Sequence, residues 1–241
     1  HAVFMESPGS LTFEVQDVPA IAAAARERGV VSILDNTWGT PLFFRPFEHG
    51  VDIAIEAATK YISGHADAML GAIIMKDVHF KRLKTATVAL GNSAGPDDCY
   101  LGLRGLRTLS VRLARHQETG LTLARWLNKQ PEVARMLHPA LPDDPGHRLW
   151  KRDFIGTSGL FGVELNPVAE GKVEAMLDGF DLFGMGFSWG GFESLALPVE
   201  PNRSRSATTW KGKGPLLRIH AGLEDPDDLL ADLEAGLKKL G

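Results

Sequence analysis

Short apolar runs alternate with helical patterns in the first third of the chain. The runs are Val3–Met5, Val30–Leu34, Val51–Ala57 and Met69–Met75, and a helical pattern covers Val18–Arg28. Strands rich in Val and Ile that alternate with helices are typical of a mostly parallel sheet covered by helices. Ligands of such sheets bind beyond the carboxyl ends of the strands. Asp35 and Lys60 both follow a predicted strand, so we expect them to face one cleft.

The rest of the chain predicts a long helix and then a smaller α/β unit. Apolar residues at helical spacing from Asp97 to Lys129 favour one helix, or two with a bend, because glycines weaken the pattern locally. Four prolines between positions 131 and 145 mark a composition shift, and we place a domain boundary between residues 130 and 131. Beyond it the predicted strands are Leu160–Leu165, Phe183–Trp189 and Leu216–His220, and the predicted helices are Val168–Leu177 and one that starts at Asp225.

Composition narrows the classes of partner. The chain has 241 residues, of which 44% are apolar and 23% charged, and its net charge is −4. Acids and bases are interspersed, so nothing favours nucleic acid or an anionic membrane as a partner. No apolar run is long enough to cross a bilayer. The single cysteine, Cys99, excludes an internal disulfide and favours a reducing compartment, so we expect the cytoplasm.

The most informative segment is 52–65, which surrounds Lys60. An apolar strand carries this lysine to the edge of the expected cleft. A lysine that is partly desolvated, or close to another cation, titrates low enough to act as an amine nucleophile and a base. The hydroxyl of Thr59 suits a phosphate oxygen, and Gly64 allows a tight turn. On the residues alone, a solvated lysine at a strand end is the more common outcome.

Three further segments carry side chains suited to chemistry. Asp35 ends a predicted strand, where it either faces the cleft or forms a turn. Ser188 and Trp189 precede a Gly-Gly pair whose backbone amides can bind an anion, and the alternative is a packed Trp beside a glycine turn. Arg218 lies within an apolar strand, where a guanidinium is costly unless it grips a carboxylate, either of a substrate or of a core acid.

Together these segments resemble the Cys/Met-metabolism family of pyridoxal-phosphate (PLP) enzymes. Segment 52–65 resembles the family's cofactor-attachment signature, and segment 187–195 resembles a stretch of its cystathionine β-lyases. The resemblance implies that Lys60 carries PLP and is the catalytic residue, and that Thr59 contacts the cofactor phosphate. It also implies that Asp35 faces the pyridine nitrogen. The implied ligands of the substrate carboxylate are Ser188, Trp189 and Arg218.

The resemblance also implies a fold and an activity. The fold is the PLP-dependent transferase fold type I, the aspartate aminotransferase-like fold. Residues 1–130 would form the C-terminal portion of its large domain, with a long linking helix, and residues 131–241 a small C-terminal α/β domain. The implied reaction is α,β-elimination of L-cystathionine, a thioether amino acid, to homocysteine, pyruvate and ammonia. The implied assembly is a homo-oligomer, a dimer of dimers. Relatives carry an N-terminal block with a phosphate loop and a stacking tyrosine, which we expect upstream of Val3.

Two alternatives stay open. A γ-elimination or γ-replacement relative would share Lys60, Asp35 and Arg218, but Trp38 and segment 187–191 argue against it. The other alternative is a cofactor-free inactive fragment or assembly subunit.

Several other residues receive roles without chemistry. We expect Asp52 to be structural and His220 to lie in the core or behind the site. Arg104 and Arg107 are expected in structural ion pairs. Cys99 and the histidines show no metal-ligand spacing, so we expect no metal.

Overall fold

The computed structural model describes residues 1–241 and contains two four-stranded sheets joined through one long helix. The strands are β1 (Ala2–Glu6), β2 (Val31–Asp35), β3 (Ile53–Glu56), β4 (Ala72–Met75), β5 (Val133–Leu137), β6 (Leu160–Leu165), β7 (Leu195–Val199) and β8 (Leu216–His220). The helices are α1 (Val18–Glu27), α2 (Thr40–Phe43), α3 (Asp77–Ala89), α4 (Pro96–Leu127), α5 (His147–Asp153), α6 (Lys172–Leu177) and α7 (Pro226–Leu237). Short 3₁₀ turns lie at Pro46–His49, Pro201–Arg203 and Lys238–Leu240.

The first sheet has the order β1-β2-β3-β4 and is mostly parallel, as the sequence predicts. β1, β2 and β3 run parallel, and β4 pairs antiparallel with β3. The carboxyl ends of the three parallel strands therefore meet at one edge, which carries Glu6, Asp35 and Glu56. The segment that carries Lys60 leaves β3 at this same edge.

The second sheet has the order β5-β6-β8-β7 and is antiparallel throughout. Both central strands, β6 and β8, match their predicted bounds residue for residue, and every residue in them is buried. Side chains alternate between the two faces of a strand, so Arg218 and His220 lie on the same face of β8.

The predicted long helix is a single helix, α4, of 32 residues. Its glycines allow close approach of other segments to the helix. A Cβ atom at Gly105 would lie 2.2 Å from the carbonyl oxygen of Ile62, and one at Gly120 would lie 3.1 Å from Cα of Gly159. The N-terminal half of α4 therefore packs on the segment after Lys60, and its C-terminal half packs on the second sheet.

The hydrophobic core consists of two main clusters. The larger contains 20 buried residues and joins the second sheet to α4, α6 and α7. The other contains 12 buried residues. It joins Leu34 of β2 and Val51, just before β3, to Leu160 and Leu216 of the second sheet. The indole Nε1 of Trp38 also donates to the carbonyl oxygen of Leu160 at 2.9 Å. Because these contacts cross residue 130, the two units share part of their core, and the domain division at 130/131 stays a prediction.

The strand predicted at Phe183–Trp189 is wrong. This segment is irregular, and the strand of this region is β7, which begins at Leu195. Only Gly184 bonds to a neighbouring strand, in an isolated bridge with Leu195 of β7, and other backbone groups here bond to side chains. The carboxylate of Asp232 accepts the N–H groups of residues 181, 182 and 183 at 2.9–3.1 Å. One carbonyl, that of Phe187, accepts from Arg218 at 2.7 Å.

Other boundaries differ from the predictions more modestly. The helix predicted from Val168 begins only at Lys172, after Gly171 in the left-handed conformation with φ of 81°. The sequence patterns also missed four elements, α2, α3, β5 and α5. The last helix begins as expected, because the Asp225 carboxylate accepts the N–H of Asp227 at 2.9 Å. None of the helices combines the length and the apolar character that a bilayer span requires.

Candidate active site

Lys60 lies in a tight segment after β3, residues 57–64, which we call the lysine loop. Three backbone bonds hold this loop, from the N–H groups of Lys60, Ser63 and Gly64 to the carbonyls of Ala57, Ala58 and Lys60, at 2.8–2.9 Å. The Ser63 hydroxyl also donates to the Thr59 carbonyl at 2.8 Å. The loop is therefore a compact, hydrogen-bonded turn that fixes the backbone from which the Lys60 side chain projects.

Arg112 of α4 supports the lysine loop by hydrogen bonds to its backbone carbonyls. Its guanidinium donates to the carbonyl oxygens of Tyr61 at 2.8 Å, Ile62 at 3.2 Å and Gly105 at 2.7 Å. Gly64 makes room for it, because a Cβ atom there would lie 2.0 Å from Nη1 of Arg112. Burial lowers the pKa of Arg112 below its usual value. Its Nε also donates to the Thr108 hydroxyl at 3.1 Å, so this buried cation is satisfied by three backbone carbonyls and one hydroxyl, and by no acid.

A second segment, residues 184–193, packs over the lysine loop, and we call it the site loop. Its Gly190 has φ of 82°, and a Cβ atom there would lie 2.8 Å from the Tyr61 nitrogen and 3.0 Å from Cα of Lys60. Only glycine permits this approach. Beyond the site loop, the Glu224 carboxylate accepts from the backbone N–H of Ser194 at 2.7 Å and from its hydroxyl at 2.8 Å. The site loop is therefore held at its end and pressed against the lysine.

The amine of Lys60 meets the site loop directly. Nζ donates to Oγ of Ser188 at 2.9 Å and lies 5.5 Å from the centroid of the Trp189 ring. Lys60 forms no ion pair. Burial, and secondarily the positive charge of Arg218, lower the pKa of Lys60 below its usual range. A half-buried amine of this kind is more often neutral near pH 7 than an exposed one, which makes it a better nucleophile and base.

Arg218 lies behind the site loop on β8. Its Nη2 donates to the carbonyl of Phe187 at 2.7 Å, with the carbonyls of Gly186 and Ser188 each at 3.5 Å. Arg218 is only 6% exposed, and its guanidinium forms no ion pair with any acid. Burial lowers its pKa. The structure therefore contains no ion pair between Arg218 and a core acid, which was the alternative. The donors of the guanidinium other than Nη2 are open to an anionic ligand.

Asp35 lies at the carboxyl edge of the first sheet. Its Oδ1 accepts from the backbone N–H of Thr37 at 3.0 Å and from the Thr37 hydroxyl at 2.5 Å. Asp35 forms no ion pair, and its second oxygen has no protein donor. Its negative charge helps to raise the pKa of Glu6 and of Glu56, in both of which burial is the main cause; Glu56 reaches about 7. An unpaired carboxylate here suits a protonated ring nitrogen.

Thr59 uses its hydroxyl within the protein. Oγ1 accepts from the N–H of Leu70 at 2.9 Å and donates to the carbonyl of Leu70 at 3.2 Å. These bonds close the 59–70 segment. A phosphate bound at Thr59 would replace the longer of the two bonds.

Comparison with known proteins identifies the family. The Cys/Met metabolism PLP-dependent enzyme family matches residues 1–238. The chain belongs to this family. Cystathionine beta-lyase MetC of Escherichia coli (strain K12) is 46% identical to it, over 99% of this chain and 62% of its own length. Cystathionine beta-lyase of Salmonella typhimurium (strain LT2) is 45% identical, also over 99% of this chain and 62% of its own length.

A solved structure gives the same picture. Cystathionine gamma synthase from Xanthomonas oryzae pv. oryzae, in complex with cystathionine, superposes with a TM-score of 0.91 at 33% identity. The match covers 99% of this chain and 63% of that one. The PLP-dependent fold expected from the sequence is thus confirmed. The chain spans about three fifths of the length of the curated relatives it matches.

The chain's own residues fit the family cofactor. The site presents an unpaired carboxylate at Asp35 and two cations without acidic partners, Lys60 and Arg218. This charge pattern complements a ligand that is cationic at a ring nitrogen and anionic elsewhere. In this chain Lys60 would hold PLP, Asp35 would face its ring nitrogen, and Thr59 is the candidate for its phosphate.

The structure corrects two sequence expectations about the site. Arg104 and Arg107 form no ion pairs and lie exposed on α4, and the arginine of that helix with a structural role is Arg112. The amide of Gly190 does not point to an anion, since it donates to Nε2 of His220 at 3.1 Å. Asp52 is structural as expected, and it binds Ser32 and pairs with Lys76 at 2.8 Å.

Sequence reasoning missed the contribution of Arg112 and His116. Both lie on the buried stripe of α4, with Leu109 and Leu113. These four residues occupy positions i, i+3, i+4 and i+7 of the helix. The available signal was therefore a cation and an imidazole within an otherwise apolar helical stripe. Such residues need buried partners, and here the partners come from the lysine loop, from Gly105 of α4 and from Ala221, directly after β8.

Proposed function

We propose that this chain carries the catalytic lysine of a PLP-dependent carbon–sulfur lyase that converts L-cystathionine by α,β-elimination to homocysteine, pyruvate and ammonia. The observation that carries the proposal is a pair of cations on the two sides of Ser188. Lys60 Nζ contacts its hydroxyl at 2.9 Å, and Arg218 holds the preceding carbonyl at 2.7 Å. Neither cation has an acidic partner in the chain.

Each residue has a defined task in this proposal. The open donors of Arg218 bind the substrate α-carboxylate, with Ser188 and Trp189 beside it. Lys60 Nζ removes the proton from the substrate Cα and, once protonated, is the nearest acid to the departing sulfur. PLP, when bound, supplies the electron sink that makes the Cα proton removable. Asp35 opposes the ring nitrogen. Fixing the carboxylate orients the Cα–H bond toward Nζ, which is an effect of orientation.

Relatives support the choice of β-elimination. The chain is 45–46% identical to two proteins named cystathionine beta-lyase, whereas it is 36% identical to cystathionine gamma-lyase of Mus musculus and 33% identical to the cystathionine gamma synthase of known structure. We further propose a homo-oligomer, a dimer of dimers, as the assembly. The cytoplasm remains the proposed compartment, on the single cysteine.

The test is a product assay with L-cystathionine and added PLP. Pyruvate is the expected 2-oxo acid, and Lys60→Ala should abolish both its formation and the visible absorbance of the lysine-bound cofactor. Lys81→Ala, which removes an exposed lysine of α3, is the matched control and should leave both unchanged. Formation of 2-oxobutanoate instead of pyruvate would show γ-elimination. A full signal in Lys60→Ala would refute the role of the lysine.

A second assay addresses the carboxylate. Arg218→Lys should raise KM steeply, because an ammonium cannot make the two parallel bonds of a guanidinium. An unchanged KM would reject this role of Arg218.

A further inference from the structure

His220 is a buried histidine directly behind the site loop. It lies on the same face of β8 as Arg218, two residues further along, and is only 1% exposed. The N–H of Gly190 donates to its Nε2 at 3.1 Å. β8 therefore fastens the site loop at two points, at Phe187 through Arg218 and at Gly190 through His220. Ser188 and Trp189 are the two residues between these points.

Nε2 of His220 faces two backbone groups of the site loop, the N–H of Gly190 at 3.1 Å and the carbonyl oxygen of Gly191 at 3.2 Å. Nε2 accepts from the first when the ring proton is on Nδ1 and donates to the second when the proton is on Nε2, so either neutral tautomer bonds the site loop, and Nδ1 has no partner of its own. Burial, and then the charge of His116, lower the pKa of His220 to about 3. The ring is therefore neutral throughout the pH range in which Lys60 titrates.

A cluster of rings keeps His220 in place. Tyr61, the residue after Lys60, lies 5.1 Å from the His116 ring, 5.4 Å from the Trp189 ring and 5.9 Å from the His220 ring, measured between centroids. His116 in turn lies 5.2 Å from His220 and donates from Nδ1 to the Ala221 carbonyl at 2.8 Å. The lysine loop, α4, β8 and the site loop thus meet at one point.

We propose that His220 is a positioning residue: through Nε2, which bonds the Gly190–Gly191 backbone, it holds Ser188 and Trp189 against the amine of Lys60. The Gly190 backbone already lies against Cα of Lys60, so a displacement of this residue moves the site loop away from the lysine. The inference rests on the proposed function in one respect, since it concerns the same lysine. Its test nevertheless needs neither cofactor nor substrate.

The test measures the pKa of Lys60 in the full 241-residue chain. Competitive acetylation at a series of pH values, with peptide mass spectrometry, gives the pKa and the reactivity of this one amine. His220→Phe keeps a ring but loses the Nε2 atom that bonds the site loop. The released site loop then admits water to Lys60, whose pKa is held down mainly by burial. We expect the pKa of Lys60 to rise by half a unit or more. Because only the neutral amine reacts, this rise lowers the labelling rate at pH 8 about threefold.

Two variants separate positioning from a merely structural role. His220→Gln places an amide oxygen near the position of Nε2 and should restore the wild-type Lys60 profile. His138→Phe removes another fully buried histidine, at the end of β5, which touches neither loop. It should lower Tm but leave the Lys60 profile unchanged. If His220→Phe and His138→Phe both lower Tm and both keep the wild-type profile, the proposal is overturned.

A milder pair covers the case in which His220→Phe does not fold. His220→Asn keeps an amide whose oxygen ends short of Gly190, whereas His220→Gln reaches it. We expect a raised Lys60 pKa in the Asn variant only, and equal profiles would overturn the proposal. Failure of the elimination assay would refute the proposed function without touching this result, because acetylation measures the free amine.

Discussion

Arg112→Met tests how strongly α4 supports the lysine loop. The substitution keeps an unbranched apolar stem of similar length but removes every donor. The carbonyls of Tyr61, Ile62 and Gly105 then lose the guanidinium that now bonds them at 2.7–3.2 Å. Because the residue is 7% exposed, water does not readily replace the missing donors. We expect a loss of stability together with a looser lysine loop.

The size of the loss follows from the two short bonds. Hydrogen bonds to a charged group contribute about 1.5–3 kcal/mol each, so two of them contribute about 3–6 kcal/mol. Removing the guanidinium also relieves the cost of burying a cation, which offsets part of this loss. We therefore expect the free energy of unfolding to fall by about 3 kcal/mol, which is a fall in Tm of about 6–12 °C for a chain of this length.

Urea denaturation and thermal unfolding of the wild-type chain and of the Arg112→Met variant measure the change in the free energy of unfolding. Arg107→Met is the matched control, since Arg107 lies on the exposed side of the same helix and forms no ion pair. It should change the free energy of unfolding by less than about 0.5 kcal/mol. If Arg112→Met proves as mild as Arg107→Met, then the three carbonyl contacts do not stabilise the loop and the reasoning fails.

Three further predictions concern titration. Glu56 is buried with a pKa raised from 4.5 to about 7, so its contribution to stability is complete below pH 4.5 and is lost as the pH rises through 7. Glu56→Gln should therefore stabilise the chain by up to about 3 kcal/mol at pH 8 and little at pH 4.5, measured by urea denaturation at both. The pKa of His138 is lowered from 6.5 to about 4, so the unfolded chain binds its proton first as the pH falls. Thermal unfolding of His138→Gln should thus show a shallower loss of Tm between pH 6.5 and pH 4, and an equal slope would contradict this. Arg218→Met removes a positive charge near Lys60 and should raise the Lys60 pKa in the acetylation assay; a lower value would reverse the assigned sign.

The strands of the core were predictable because they are short, mainly apolar segments next to turn residues, such as Asn166-Pro167 after β6 and Gly214-Pro215 before β8. β6 and β8 match the sequence prediction to the residue. β7 was not predicted, because Pro198 interrupts its pattern, and the structure shows why a proline is tolerated there. β7 is an edge strand of its sheet, so a missing N–H costs less than it would in a central strand.

The site was predictable only where local sequence carries it. Lys60, Asp35 and the Ser188–Trp189 pair follow strands or lie in distinctive motifs, and their side chains were singled out from the sequence. The supporting contacts join residues far apart in the chain. Arg112 reaches the carbonyl of Tyr61 across 51 positions, and His220 receives the N–H of Gly190 across 30. No spacing or periodicity encodes such pairs, because they arise when separate elements pack.

The alternation of side chains along β8 makes the site sensitive to strand alignment. β8 pairs with β6 and β7 with Arg218 opposite Gly162 and Leu197. A slip of one residue would turn Arg218 and His220 together to the other face of the sheet. Both contacts that hold the site loop would then be lost in a single misfolding event, although Lys60 lies in a loop that follows the other sheet. The reactivity of Lys60 therefore depends on the correct strand register of a sheet that does not contain this residue.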